Sequence, residues 1–164
     1  MKIYFYIIFF FFTLINILNA QNKAVDDLIS KYTDKEGFKA VVMNDPASVI
    51  LQNKSGDEAN LAKEMLKGIK TIKTISYNST GKANDNCKKF NSDILKFNPG
   101  ENFVELFSIN EGKTKIKSLV RKSGEKVTEF VMLIADENEP TIIWLNGDIN
   151  VSNISNIGKI LKRQ

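Results

Sequence analysis

Residues 103–148 have the sequence FVELFSINEGKTKIKSLVRKSGEKVTEFVMLIADENEPTIIWLNGD, which has the clearest strand pattern in the chain. It contains four apolar or alternating segments of strand length. The short runs between them are rich in glycine, asparagine and acidic residues, which are typical of hairpin turns. We therefore predict an antiparallel meander of four strands. The predicted strands are Phe103–Ile109, Lys115–Val120, Val127–Ala135 and Thr141–Leu145.

The residues before the meander alternate between helical and strand patterns. Apolar residues at helical spacing predict helices at residues 25–32, between Ser55 and Gly68, and at residues 85–97. Apolar and β-branched residues predict strands at Phe38–Met43 and Ile69–Tyr77.

The residues after the meander predict its end and one more helix. Asn146-Gly147-Asp148 is a turn signal that we expect to end the sheet, and residues 151–161 have apolar side chains at helical spacing. Because the strands are grouped together, the predicted fold class is α+β. The expected architecture is a mostly antiparallel β-sheet with the helices packed on one face.

The N-terminus has the three parts of an export signal. Lys2 gives a positive end, Ile3–Leu18 is an almost continuous apolar run, and Ala20 is the small residue that a signal peptidase requires before its cut. The run is shorter than the roughly 20 residues that cross a bilayer, which favours a cleaved signal peptide. The alternative is an uncleaved membrane anchor. We expect residues 1–20 to be a signal peptide. Residues 21–164 would then be a single exported domain that is not an integral membrane protein after cleavage.

The composition argues against several classes of function. The formal net charge is +4 with the charges interspersed, which together with export argues against nucleic-acid binding. Cys87 is the only cysteine, so no internal disulfide can form, and its helical spacing with Phe90 and Ile94 predicts a buried core residue. The chain has no histidine, the commonest general base and a usual zinc ligand. No cofactor is predicted.

Four polar residues are candidates for contacting a ligand or partner. Lys115, Lys117 and Arg121 alternate at strand spacing and so share one face of the sheet. This basic strip is either a solvated face or a site for an anionic partner such as a lipid headgroup or a surface polysaccharide. Asp148 lies at the expected junction of the last strand and the final helix, where a turn or helix-cap role is the alternative. The acidic turn at residues 136–139 lacks the spacing of a calcium loop, so no metal site is predicted.

Several short motifs occur in a fixed order along the chain. They are Lys31-Tyr32, Glu36-Gly37-Phe38, Gly68-Ile69-Lys70, Phe130–Ala135, Asp136–Glu139, Thr141–Leu145 and Gly147-Asp148-Ile149. In this order and spacing they resemble a family of small exported bacterial proteins catalogued as DUF4252, over nearly all of residues 22–160. The resemblance implies a location in the periplasm or cell envelope of a bacterium, and no known catalytic residues.

These observations favour a non-catalytic envelope protein that binds an envelope protein, glycan or lipid and acts in sensing or signalling at the cell surface. One alternative is a carboxylate-based hydrolase that pairs Asp148 with a glutamate of the meander. Another is a carrier of small apolar ligands in a cavity between helices and sheet. The aromatic residues that would line such a cavity are Phe38, Phe90, Phe97, Phe107 and Trp144.

Overall fold

The chain folds into one six-stranded antiparallel sheet with four helices within the residues that the computed structural model describes, which are 23–52, 54–78, 84–100 and 102–150. The order of strands across the sheet is β1-β2-β6-β5-β4-β3. The helices are α1 (Lys23–Thr33), α2 (Pro46–Leu51), α3 (Gly56–Leu66) and α4 (Asp85–Lys96). The strands are β1 (Phe38–Asn44), β2 (Ile69–Tyr77), β3 (Phe103–Glu111), β4 (Thr114–Ser123), β5 (Lys126–Ala135) and β6 (Thr141–Ile149).

The α+β class and the four-strand meander are confirmed, since β3, β4, β5 and β6 lie side by side in sequence order. The expected end of the sheet at Asn146-Gly147-Asp148 is wrong. β6 continues to Ile149 because it still has partners on both sides there. Ile69 of β2 lies opposite Gly147, and Val127 of β5 lies opposite Ile149. The predicted signal peptide and the predicted final helix lie outside the described residues.

Helices cover both faces of the sheet, so the expectation that they lie on one face is wrong. On what we call the first face, which carries Val131 and Trp144, α1 and α4 supply the buried side chains. On the second face, which carries Phe130 and Leu145, α2 and α3 do so. Phe130 is followed directly by Val131, and Trp144 by Leu145, so both faces of β5 and β6 are apolar. Such strands need cover on both sides.

Two glycines allow β2 and β6 to approach each other closely. Gly68 directly precedes β2, and its carbonyl oxygen accepts a hydrogen bond from the amide of Asp148 at 2.8 Å. A Cβ on Gly68 would lie 2.2 Å from the carbonyl oxygen of Asp148, and a Cβ on Gly147 would lie 2.1 Å from the carbonyl oxygen of Gly68. The φ angles are +83° and +146°, which also favour glycine. The junction of β2 and β6 therefore requires glycine at both positions.

We predict that Gly68→Ala and Gly147→Ala each lower the free energy of unfolding by about 3 kcal/mol or more, because the new methyl group meets backbone atoms and the φ angle is strained. Gly124→Ala is the matched control. Its φ of +63° is also positive, but a Cβ there would have no atom within 4 Å. Its cost should be only about 1 kcal/mol of backbone strain. Urea denaturation measures all three, and equal losses would contradict the steric argument.

Candidate functional site

Lys115 and Lys117 lie on β4 beside a small cleft between the sheet and α4. The cleft has a volume of about 190 Å³, and Ile94 and Leu133 contribute to its apolar lining. Nζ of Lys117 lies 3.4 Å from a carboxylate oxygen of Glu105 on β3. Part of the positive charge of the two lysines is therefore paired within the chain. The cleft is smaller than the roughly 300 Å³ at the lower end of small-molecule sites.

Arg121 differs from the two lysines because it is buried in an ion pair. Its guanidinium contacts the carboxylate of Glu129, which lies directly opposite on β5. The side chain of Arg121 is 13% exposed and that of Glu129 is 0% exposed. Nε1 of Trp144 donates a hydrogen bond to the other carboxylate oxygen of Glu129 at 3.1 Å. Burial lowers the pKa of Arg121. This buried pair links β4, β5 and β6 on the first face, and a single acidic residue within the apolar segment 127–135 was its only sequence signal.

We predict that Glu129→Gln lowers the free energy of unfolding by about 3–5 kcal/mol, because it leaves the charge of Arg121 buried without its counterion. Arg121→Met should lower the free energy of unfolding by a similar amount, because it leaves the charge of Glu129 buried without its counterion. The double variant should recover most of the loss, since glutamine still accepts from Trp144 and no charge remains buried.

The exposed pair of Lys117 and Glu105 provides the control. Glu105→Gln should change the free energy of unfolding by less than about 1 kcal/mol, as is usual for exposed ion pairs. Urea denaturation of all four variants tests the argument. Losses that simply add in the double variant would show that the charges of Arg121 and Glu129 do not interact.

Asp148 lies within β6, beside a cavity of about 660 Å³. Glu64 of α3 and Glu125 line the same cavity, so Asp148 shares it with two other carboxylates, as the hydrolase hypothesis requires. However, Oδ2 of Asp148 accepts a hydrogen bond from Nζ of Lys126 at 2.6 Å. That hydrogen bond raises the pKa of Lys126. Asp148 thus has a structural partner at the adjoining ends of β5 and β6.

The aromatic residues considered for a ligand cavity lie on different faces of the sheet. The rings of Phe38 and Phe90 contact each other in the first-face core, with centroids 5.1 Å apart. Phe97 and Trp144 also pack in that core. Phe107 is exposed on β3 and points to the second face, opposite Ser118. These five residues therefore do not line one cavity.

Cys87 and the acidic turn have structural roles. Cys87 is buried, as predicted, and its thiol donates a hydrogen bond to the carbonyl oxygen of Glu137 at 3.4 Å. Burial, and secondly the carboxylate of Asp136, raise the pKa of this thiol. Asp136 itself accepts hydrogen bonds from the hydroxyl of Thr114 and the amide of Asn138, which lower its pKa. Within the described residues, no group of three or more acidic or thiol side chains is arranged to hold a metal ion.

A polar cluster joins α1 to α4. Nζ of Lys31 and the hydroxyl of Tyr32 both donate hydrogen bonds to Oδ2 of Asp93, at 2.5 and 2.6 Å. Burial acts to raise the pKa of Asp93, but the hydrogen bonds from Lys31 and Tyr32 outweigh it, and the net pKa is lowered. Burial, together with the hydrogen bond to Asp93, raises the pKa of Tyr32.

We predict that protonation of Asp93 contributes to acid destabilisation. Because its pKa is lower in the folded than in the unfolded chain, its stabilising contribution is complete above the ordinary value of about 3.9 and is lost as the pH falls through the folded-state pKa. Asp93→Asn removes this contribution, so its free energy of unfolding should change less than that of the wild type between about pH 6 and pH 2. Parallel profiles for the two proteins would contradict the assignment.

Strand β3 presents a surface that the sequence pattern did not predict. It lies at one edge of the sheet and pairs only with β4 within the described residues. Val104, Leu106, Phe107 and Ile109 are exposed, which is half of the eight exposed large apolar side chains in the described part of the chain. Grouped exposed apolar side chains are one feature by which interaction surfaces are recognised. The adjacent apolar residues Leu106 and Phe107 were the only local signal, because they interrupt the strand alternation.

The backbone of β3 shows which of its groups face outward. A bulge at Leu106 shifts the pairing with β4 between Glu105 and Phe107. The amide of Phe107 donates to Oγ of Ser118, and that hydroxyl donates to the carbonyl oxygen of Phe107, both at 3.2 Å. The backbone groups of Phe107 thus face β4. Successive strand residues direct these groups to opposite edges, so those of Ser108 and Asn110 face away from β4.

Together these features define an α+β protein whose sheet is covered by helices on both faces and is open along β3. The chain belongs to the DUF4252 family, described as a domain of unknown function, whose model matches residues 32–157. This confirms the family resemblance found in the sequence. No curated protein and no solved structure matches the chain. None of the helices in the described residues has the length and apolar character needed to cross a membrane.

Proposed function

We propose that this chain is an exported, non-catalytic protein of the bacterial periplasm or cell envelope that binds another polypeptide at the free edge of β3. The pattern of residues 1–20 supports export. The single observation that supports binding is that β3 combines outward-facing backbone groups with exposed apolar side chains. Strand addition uses both, since main-chain hydrogen bonds give affinity and alternate side chains give specificity.

The composition of β3 is unusual for a strand at a sheet edge. Edge strands are commonly protected by lysine, proline, short length or a bulge. β3 has nine residues and contains neither lysine nor proline. Its bulge at Leu106 interrupts only the first part of the strand, so residues 107–111 keep a regular register with β4. These five residues are the proposed pairing segment.

The expected partner is an extended segment that has apolar side chains on one face. The apolar side chains of the partner would contact Phe107 and Ile109 on the second face. On the first face, the side chains of the partner would lie beside Ser108 and Asn110. Lys115 lies one strand further in on the first face, opposite Asn110 and about 10 Å from an added strand. It favours acidic over basic side chains on that face of the partner. The anionic partner that the basic strip suggests would thus be a polypeptide with acidic side chains on this face.

Selection from a displayed library of random peptides tests this proposal. Bound peptides should have apolar residues at alternate positions and should protect the amides of Ser108 and Asn110 from hydrogen exchange. Phe107→Lys should abolish binding, because it replaces an apolar contact with a charge. Val42→Lys is the matched control, since Val42 is 56% exposed on β1 at the opposite edge. The proposal would be refuted if no peptide were selected or if the peptides protected other strands.

A further inference from the structure

We infer that the polypeptide added to β3 is the β3 of a second copy of this chain, related to the first by a two-fold axis at Ile109. The inference rests on the proposed function, because it uses the same edge and names the partner. Two six-stranded sheets would join into one continuous antiparallel sheet. The contact would be isologous, as in most protein dimers.

An axis at Ile109 matches the backbone groups that face outward. It places Ser108 of one copy opposite Asn110 of the other, and both residues direct their backbone groups away from β4. Each such pair exchanges two hydrogen bonds, and the symmetry generates the pair twice. Ile109 then faces Ile109 of the second copy at the closer, non-hydrogen-bonded type of position, where β-branched side chains pack against each other.

The charges along the β3–β4 hairpin favour a second copy as the partner. The antiparallel alignment places Glu105 of one copy beside the Gly112-Lys113 turn of the other, so opposite charges meet at both ends of the contact. In its own chain Lys113 pairs with Glu137 at 2.7 Å and Glu105 pairs with Lys117 at 3.4 Å. All four side chains are at least 45% exposed, so both pairs are weak. An axis at Ser108 would instead bring Glu105 towards Glu111, and like charges across a strand pair are destabilising.

Sedimentation tests the dimer on protein expressed from its full sequence in an exporting host. The wild type should dimerise at concentrations up to roughly 1 mM, the range of a weak contact. Ile109→Lys and Ile109→Glu should each weaken the dimer more than about tenfold, because like charges then face each other across the axis. An equimolar mixture of the two variants should restore a dimer. Val42→Lys, exposed on β1, should behave as the wild type.

Oxidative cross-linking tests the register. The axis places the two Cα atoms of residue 109 about 4.5 Å apart, within the range of a disulfide. Ile109→Cys should therefore form a covalent dimer, while Val42→Cys should not, and the native Cys87 is only 1% exposed.

A wild type that stays monomeric at roughly 1 mM, without preferential cross-linking at residue 109, would overturn the second copy as partner. The proposed function is judged separately, by whether selected peptides protect Ser108 and Asn110. Peptide protection without a dimer would thus end this inference alone, and the absence of both would end both proposals.

Discussion

In β5 and β6, consecutive side chains point to opposite faces of the sheet and both are buried, as Phe130 and Val131 show on one strand and Trp144 and Leu145 on the other. An antiparallel sheet commonly leaves one face to water. In this protein, leaving one face to water would expose half of the core. The free energy of unfolding would fall by about 25 cal/mol for each Å² of apolar surface exposed. Helices are therefore needed on both faces, and they contact mainly β1, β2 and β5 within the described residues. β3 is the strand at the far edge, and apart from Phe103 all its residues are exposed.

The buried pair of Arg121 and Glu129 connects the start of this exposed strand to the core. Arg121 lies opposite Phe103, the first residue of β3, and its guanidinium is 5.8 Å from the centre of the Phe103 ring. Glu129 connects Arg121 to Trp144 in the first-face core. The start of β3 is thus attached to the core, while the following residues extend along the edge. Under the proposed function, a strand that β4 already holds in place would lose less entropy when a partner pairs with it.

The fold could be predicted from the sequence as far as local patterns determine it. Strand alternation and turn residues are local, so the meander from β3 to β6 was predictable. The pairing of β2 with β6 was not, because it joins residues 69–76 to residues 141–147, which are distant in sequence. The position of β3 at the edge follows from that strand order. Its apolar residues alone, Val104 to Ile109, are as typical of a core strand as of an exposed one.

The candidate site likewise has features that local sequence predicts and features that depend on residues distant in sequence. Lys115 and Lys117 share a face because alternation is local, but the burial of Arg121 depends on Glu129 from the neighbouring strand. Two of the three charges of the predicted basic strip are thus paired with carboxylates of the same chain, Lys117 with Glu105 and Arg121 with Glu129. A surface neutralised internally attracts anions weakly at long range. A lipid headgroup or an acidic polysaccharide would need those cations. The outward-facing backbone groups of Ser108 and Asn110 and the exposed apolar side chains of β3 have no comparable internal partner in the described residues. Under the proposed function, selectivity at this edge depends on hydrogen-bond register and side-chain fit, which an extended polypeptide can supply.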